Sequence, residues 1–269
     1  MARRAQMPIS FTPISNGKRW TGYDWSIDSD HELAILVARV ALGQYRHVLK
    51  ILAETDFVDS VPATTAIEGA RQLLTVPKGS DPFHRDGWLF QTISWIAAHI
   101  QDSTSLIAPP HMQHAAKGFD GLHVHIDKKT QTVHSVIICE DKATSYPRDT
   151  IRDLVWKEFS DLEAGNKDHI LTANVSTLLS TRPELDSDQA IEQVLWNEVR
   201  AFRVAITVDD RHDSEAGRKR LFKGYTKVVS GQVTRRRAET LHLNDLRFWM
   251  KRLAKKARKA ADKMVPSDV

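Results

Sequence analysis

Two neighbouring apolar runs between Gly118 and Thr144 constrain the fold more than any other part of this chain. The first, "GLHVHID", alternates apolar and polar residues, which is the pattern of a β-strand with one buried face. The second, "VHSVIICEDK", contains an almost continuous apolar stretch, as in a strand covered on both faces. Since residues 127–130 form a polar turn, the two runs predict an antiparallel hairpin in an α/β fold, with helices on both faces of a small mixed sheet.

The remaining periodicity surrounds this hairpin with helices. The predicted helices cover residues 31–56, 64–76, 83–100, 148–162, 169–180, 187–199 and 241–264, and a third strand covers 203–208. The first 28 residues are predicted to be a loop. Because no repeat or Pro/Ser linker separates two domains, we expect a helical N-terminal region (1–80) packed on a core (81–210), then a basic helical C-terminal region (211–269).

The composition is that of a soluble globular protein. Of the 269 residues, 41% are hydrophobic and 27% are charged, which is enough for a proper core. The N-terminal stretch has two arginines without an apolar block behind them, and no window reaches the length of a membrane span. We therefore expect neither a signal peptide nor membrane insertion. The single cysteine, Cys139, excludes an internal disulfide and fits a cytoplasmic location.

Charge is distributed unevenly along the chain. Residues 218–263 hold 16 Lys and Arg against three acids, whereas the rest holds 22 basic and 31 acidic residues. A basic face on an acidic body is typical of proteins that bind nucleic acid, although a solvated terminal helix that binds nothing has the same composition. The candidate phosphate contacts are Arg235, Arg236, Arg237, Lys251, Lys255, Arg258 and Lys259. Such contacts would be salt-sensitive and independent of base sequence.

The hairpin brings two acids together. Asp120 and Glu140 are each ten residues from Thr130, so a loop centred near Thr130 makes them cross-strand neighbours, with β-carbons about 5 Å apart. Two carboxylates at that distance repel each other unless a cation lies between them. Oxygen ligands suit a hard ion, and the pair therefore predicts a Mg²⁺ or Mn²⁺ site.

The residues after Glu140 divide between the two faces of the strand. Lys142 leaves the strand on the same face as Glu140, and Asp141 leaves it on the opposite face. A lysine in that place could hold a water molecule or stabilise negative charge in a transition state. Two carboxylates and a lysine together predict a small site for cleaving phosphodiester bonds.

These residues resemble the PD-(D/E)XK nuclease superfamily, in which an acid opens one strand and Glu-X-Lys closes the next. The similar parts are "GFDG" and "IICEDK". The resemblance implies a restriction-endonuclease-like core, with a helix, a hairpin, a second helix and a further strand. The order of predicted elements between residues 80 and 210 is similar. Phe119 stands where the family motif has proline.

The resemblance also implies residue roles and a cofactor. Asp120 and Glu140 would bind catalytic Mg²⁺, with the main-chain carbonyl of Asp141 as a further ligand, and Lys142 would position the attacking water. Many members carry an acid on the preceding helix. Here the candidate is Asp86, with Gln91 as the weaker alternative. The implied activity is a metal-dependent nuclease, with DNA as the expected substrate.

The segments "RDGWLFQTISWIAA", "KGFDGL" and "CEDKAT" together resemble nuclease components of bacterial antiphage defence systems, such as the Hachiman nuclease subunit. This resemblance implies a role in antiviral defence, with a helicase or another defence-system protein as partner. A second hypothesis is a non-catalytic subunit that keeps the fold and recruits nucleic acid to another enzyme.

Other kinds of site have weaker support. Five histidines near the hairpin make a zinc site conceivable, but their spacing matches no established zinc module, and ordinary hydrogen-bonded histidines are the simpler interpretation. These are His111, His114, His123, His125 and His134. No Gly-X-Ser-X-Gly turn anchors a serine hydrolase, and no glycine-rich phosphate loop predicts ATP-driven chemistry. The hairpin ends could also carry ordinary solvated charges.

Overall fold

The computed structural model describes residues 7–55, 62–63, 65–114, 118–127, 129, 132–182, 192 and 199–264. Its centre is a mixed sheet of seven strands, in the spatial order β1-β2-β7-β6-β5-β4-β3. The strands are β1 (Ile9–Ser15), β2 (Thr21–Ile27), β3 (Leu106–Ile107), β4 (Gly121–Ile126), β5 (Val133–Lys142), β6 (Arg200–Val208) and β7 (Arg236–His242).

Parallel strands form the middle of this sheet and antiparallel strands form its two sides. Strands β2, β7, β6 and β5 are parallel neighbours, whereas β1 pairs antiparallel with β2, and β3, β4 and β5 form an antiparallel meander. The α/β class and the β4–β5 hairpin are confirmed. The expectation of a small sheet is wrong, because strands from the N-terminal and C-terminal regions extend it.

Helices cover both faces of the sheet. They are α1 (Asp30–Ala41), α2 (Tyr45–Leu52), α3 (Ala66–Leu74), α4 (Phe83–Gln101), α5 (Pro147–Thr150), α6 (Trp156–Glu163), α7 (Asp168–Leu179), α8 (Glu215–Leu221), α9 (Tyr225–Val228) and α10 (Leu246–Met264). A π-helical turn, Ile151–Val155, joins α5 to α6, and a 3₁₀ turn, Val233–Arg235, leads into β7. Among these helices, none combines the length and apolar character needed to cross a membrane.

Alternate residues of the central strands pack into two separate hydrophobic cores, one on each face of the sheet. Val204 and Ile206 of β6 pack with α6, α7 and the turn after α8 on one face. Ala205 of β6 and Leu241 of β7 pack with α1, α3, α4 and α10 on the other. The alternation follows from the two-residue period of a strand, and it explains why β5 and β6 are apolar on both faces.

The N-terminal region is a β-hairpin where the sequence predicted a loop. Asn16–Gly17 begins the connection between β1 and β2, and Gly17 has φ +54, a conformation that favours glycine. An Asn-Gly pair between two short strand-like runs strongly predicts a hairpin. The polar composition of the segment favoured the prediction of a loop instead. Pro13 is tolerated because β1 is the edge strand.

The three predicted regions do not form separate layers. Residues 236–242, predicted to lead into the terminal helix, form β7 between β2 and β6, so all three regions contribute strands to one sheet. The predicted helix over 31–56 is two helices, because Gly43 adopts φ +75 between α1 and α2. The prediction of a helix over 187–199 falls almost entirely outside the described residues.

The register of the β4–β5 hairpin matches the prediction. Gly121 pairs with Cys139 and His123 with Ile137, which makes Asp120 and Glu140 the next pair beyond β4. A bulge between His125 and Ile126 shifts the register nearer the turn. The predicted helix over 83–100 is confirmed as α4. These two elements fix the position of the acids.

Candidate active site

Asp120, Glu140 and Lys142 meet at the carboxyl end of β5. The ammonium nitrogen of Lys142 lies 2.5 Å from Oδ2 of Asp120 and 2.7 Å from Oε2 of Glu140. The predicted side assignment is confirmed, since Glu140 and Lys142 contact each other along one face of the strand. We call these three residues the open cluster.

The "GFDG" segment holds Asp120 in place from several directions. Gly118 has φ +134, and Phe119 is buried in the core, so the chain is anchored immediately before the acid. Besides Lys142, the carboxylate of Asp120 accepts hydrogen bonds from Nε2 of Gln91 at 2.5 Å and from the main-chain N–H of Asp141 at 3.0 Å. Asp120 is therefore oriented before any ligand arrives.

Burial and mutual charge shift the pKa values of Glu140 and Lys142 in the open cluster. Burial raises the pKa of Glu140 to about 8, the nearby ammonium of Lys142 opposes that rise, and the charge of Asp120 adds to it. For Lys142, burial alone would lower the pKa, but the carboxylates of Glu140 and Asp120 outweigh it and raise the pKa. Two carboxylates share one lysine, so ionisation of Glu140 would give the cluster an excess negative charge that a further cation would offset.

Asp141 belongs to a different cluster on the other face of β5. Its Oδ1 lies 3.1 Å from Nη2 of Arg203, which also donates to Ser94, and Nη1 of Arg203 lies 3.9 Å from Glu239. Burial raises the pKa of Asp141 to about 6 against the opposing charge of Arg203. We call Asp141, Arg203, Ser94 and Glu239 the closed cluster, since all are buried.

A cleft of about 370 Å³ lies against the open cluster, between α4, the turn after α5 and the start of α10. Asp120, Asp141 and Lys142 line it, whereas Glu140, with 7% of its surface exposed, contacts Lys142 without lining the cleft itself. The other polar residues around the cleft include His84, Gln91, Gln113, Thr144, Thr150 and Arg247. Hydrogen-bond donors therefore surround the open cluster.

Asp86, the predicted helix acid, does not line the cleft. Its side chain is fully buried, and its two oxygens bind the guanidinium groups of Arg85 and Arg247. Both oxygens are thus occupied within the protein. Gln91, the weaker candidate, is the α4 residue that contacts Asp120.

Arg247 was missed by the sequence reasoning. It lines the cleft while one of its nitrogens binds Asp86, and 39% of its side chain is exposed. The sequence features that could have located residues of the cleft are local to each helix. In α4, Gln91 follows His84 and Gly87 at helical spacing. In α10, Arg247 follows the cap residue Asp245 at the start of the helix. Neither feature connects the two helices.

The predicted phosphate contacts divide into two groups. Arg235 and Arg236 are buried, Arg235 pairing with Glu163 and Arg236 donating to main-chain carbonyls including those of Val229 and Lys18. The structure therefore places these two guanidinium groups inside the protein and not on its surface. Arg237 is half-buried in β7 and lines a separate cavity with Glu239.

The remaining four basic residues are exposed on α10. Among the described residues, none forms an ion pair with these four, whereas the neighbouring Arg252 and Lys256 both bind Asp30. They are Lys251, Lys255, Arg258 and Lys259. We call Lys251, Lys255 and Arg258 the basic row, because their spacing puts them along one side of the helix.

The donor set of the open cluster fits a small hard cation. Because one oxygen of Asp120 and one of Glu140 touch the same nitrogen, these oxygens lie no more than about 5 Å apart, a span that one hydrated ion bridges. In the described part of the chain, no three His, Cys, Asp or Glu side chains gather around one point. An ion held by two carboxylates keeps water ligands, as Mg²⁺ commonly does.

The hairpin histidines have partners of other kinds. His123 is buried with Nε2 at 3.5 Å from Sγ of Cys139, and burial lowers its pKa. Nδ1 of His125 lies 2.7 Å from Oγ of Ser105, and ring nitrogens of His111 and His114 lie near main-chain carbonyls. These contacts support the structure around β4.

No protein-family model, curated protein or solved structure matches this chain.

Proposed function

We propose that this protein is a metal-dependent nuclease of the PD-(D/E)XK type that hydrolyses phosphodiester bonds in DNA. The observation that carries the proposal is the convergence of Asp120, Glu140 and Lys142 beside a cleft lined with hydrogen-bond donors. Two acids and a lysine at the ends of adjacent antiparallel strands are the arrangement that the family resemblance implies.

The order of elements supports a restriction-endonuclease-like core. Helix α4 precedes the antiparallel strands β3, β4 and β5, and a helical crossover leads from β5 to the parallel strand β6. Asp120 precedes β4, and Glu140 and Lys142 end β5. The chemical residues thus occur at the strand positions that such a core uses.

Each side chain of the open cluster has a distinct part in the proposed hydrolysis. When bound, Mg²⁺ or Mn²⁺ would supply positive charge beside the phosphate and make water a better nucleophile. Asp120 and Glu140 would hold the ion, and the ammonium of Lys142 would orient the water and offset charge developing on the phosphate. The water oxygen bonds to phosphorus, one ester P–O bond breaks, and the departing oxygen takes a proton.

The surroundings of the cleft support a polyanionic substrate. Arg247 lines the cleft at the start of α10, and the basic row continues along the same helix. Lysine and arginine side chains in such a row contact phosphates without reading bases. The proposed setting is bacterial antiphage defence in the cytoplasm. The proposed partner is a protein such as a helicase, because the chain has no phosphate loop with which to drive DNA unwinding itself.

The direct test is cleavage of plasmid and linear DNA by purified protein with Mg²⁺ or Mn²⁺. We expect wild type to cleave, and Glu140→Ala and Lys142→Ala to be inactive while still folded by circular dichroism. Glu68→Gln, at an exposed acid on α3, is the matched control and should cleave normally. Equal cleavage by wild type and both site variants would reject the assignment.

The alternative is a non-catalytic subunit that recruits nucleic acid to another enzyme. It predicts DNA binding that is lost on neutralising Lys251, Lys255 and Lys259, is unaffected by Glu140→Ala, and brings no cleavage with any metal. Since a partner could hold the nuclease inactive, the cleavage assay should also be run after limited proteolysis and in the presence of co-purified proteins.

A further inference from the structure

Exposed apolar side chains concentrate around the cleft. Seven large apolar residues are exposed in the described chain, and four of them line the cleft or directly adjoin a residue that lines it, while the main-chain N–H of a fifth, Tyr146, donates to Oγ1 of the cleft residue Thr144. The other four are Phe83, Met112, Leu154 and Phe248. Single exposed apolar residues are common, but several of them gathered beside one cleft indicate a surface that binds a ligand.

Phe248 and Tyr146 each connect the cleft to positive charge. Phe248 is 61% exposed and directly follows the cleft residue Arg247. It lies three residues before Lys251, so the ring and the basic row share one side of α10, over about 15 Å of helix from Phe248 to Arg258. A strand leaving the cleft on this side would meet a ring first and cations after it.

Tyr146 is a second exposed ring near the cleft, on a different part of the chain. It is 71% exposed, and it lies between the cleft residues Thr144 and Thr150. Tyr146 also lines a second cavity of about 340 Å³, together with Arg148 and Arg220. Both arginines donate to main-chain carbonyls, which leave their positive charge in place.

We propose that the cleft takes an unpaired, single-stranded segment of nucleic acid, with Phe248 and Tyr146 stacking on bases near the open cluster. The inference rests on the proposed nuclease function and adds the substrate class. In a duplex the bases are already stacked on each other, so rings at the rim would meet only the sugar-phosphate surface. An unpaired strand offers a base face to each ring and phosphates to the adjoining cations.

The test measures binding by fluorescence anisotropy in EDTA, where no cleavage occurs. The probes are a single-stranded oligonucleotide of about 20 nucleotides, the matching duplex, and an abasic strand that has the same phosphates without bases. We expect wild type to bind the single strand more tightly than both other probes. Phe248→Ala and Tyr146→Ala should each weaken single-strand binding about tenfold and leave abasic-strand binding unchanged. Tyr45→Ala, at a ring of α2 exposed by 39%, is the matched control.

Each outcome bears on one proposal or both. Tighter binding of the duplex, equal binding of abasic and normal strands, or no effect of either ring substitution would overturn the single-strand proposal. The last result would indicate that the rings dock a protein instead. Cleavage of duplex DNA by wild type, together with any of these results, would leave the nuclease proposal standing. Absence of binding to all three probes, with no cleavage, would overturn both.

Discussion

The open and closed clusters lie back to back on β5, and each has two carboxylates for one basic side chain. In the open cluster, Lys142 serves Asp120 and Glu140, and its side chain is 27% exposed to the cleft. In the closed cluster, Arg203 serves Asp141 and Glu239, and all three side chains are 2% exposed. The formal charge is the same, but the closed cluster is almost fully sealed, although Asp141 borders the cleft and Glu239 borders a separate cavity.

The difference lies in what offsets the second carboxylate. In the closed cluster, Glu239 also accepts a hydrogen bond from Nε1 of Trp25 at 2.9 Å, and Ser94, which accepts from Arg203, also hydrogen-bonds Asp141. The partners of this sealed cluster all come from the protein, and they leave Nε and Nη1 of Arg203 without a hydrogen bond among the described residues, which is costly for a buried charge. The open cluster leaves room for a mobile cation. Consecutive residues, Glu140 and Asp141, thus belong to different clusters, and only Glu140 is a proposed metal-ligating side chain.

The strongest test of this comparison is to neutralise Glu140 and Asp141 separately. Glu140→Gln should lower the rate of DNA cleavage about ten-thousandfold, because it removes a proposed ligand of the metal that stabilises the transition state. The Glu140→Gln substitution should not lower the free energy of unfolding, because it removes a charge whose burial is unfavourable. Asp141→Asn should affect the rate less and the stability more, because Arg203 would keep only Glu239, at 3.9 Å, whereas Lys142 in Glu140→Gln keeps Asp120 at 2.5 Å. Rates at saturating Mg²⁺ and urea unfolding measure the two effects.

The reverse pattern would contradict the division of roles. A variant Glu140→Gln that cleaves normally, or a variant Asp141→Asn that is fully stable and inactive, would exchange the functions of the two acids. A stable, inactive Asp141→Asn would make its carboxylate, and not only its main chain, part of the site.

The second prediction concerns the basic partner in each cluster. Arg203→Met should lower the free energy of unfolding by about 3–5 kcal/mol, because Asp141 and Glu239 would be left buried without a charge partner. Lys142→Met should cost less, since water in the cleft can solvate Asp120. Chemical denaturation of both variants gives the comparison. Equal losses of stability would mean that the cleft does not relieve the open cluster.

Local patterns predicted the open cluster, because it depends on one hairpin. The two-residue period assigned Glu140 and Lys142 to one face, and counting from Thr130 gave the register that the structure has. Both inferences use residues within a single turn and its two strands. Strands β1 and β2 could have been predicted in the same way, because the Asn16–Gly17 turn between them is also a local hairpin feature.

The closed cluster could not be predicted in this way. It depends on the parallel pairing of β5 with β6, which sets Cys139 opposite Arg203, and on β7, which supplies Glu239. No sequence period reports which distant strands will pair. The pairing of Asp86 with Arg247 could not be predicted for the same reason, since Arg247 is 161 positions away on another helix.

The third prediction uses pH to separate the clusters. The folded-state pKa of Glu140 is raised from 4.5 to about 8, so its contribution to stability is complete below pH 4.5 and is lost as pH rises through about 8. In EDTA, wild type should therefore lose ~2–4 kcal/mol relative to Glu140→Gln between about pH 5 and pH 8.5. Added Mg²⁺ should reduce this loss. A difference that stays constant across the range would remove the electrostatic argument for a cation site.

The smallest expected effect tests how the open cluster is oriented. Gln91 donates to Oδ1 of Asp120 and touches no proposed metal ligand other than that carboxylate. Gln91→Ala should therefore weaken Mg²⁺ affinity about tenfold, with little change in the cleavage rate at saturating metal, because a supporting hydrogen bond sets ligand orientation. The measurement is the Mg²⁺ dependence of cleavage, and Gln113→Ala, at another cleft residue, is the control. A loss of rate that saturating Mg²⁺ does not restore would assign Gln91 a direct part in the reaction, and would enlarge the open cluster to include α4.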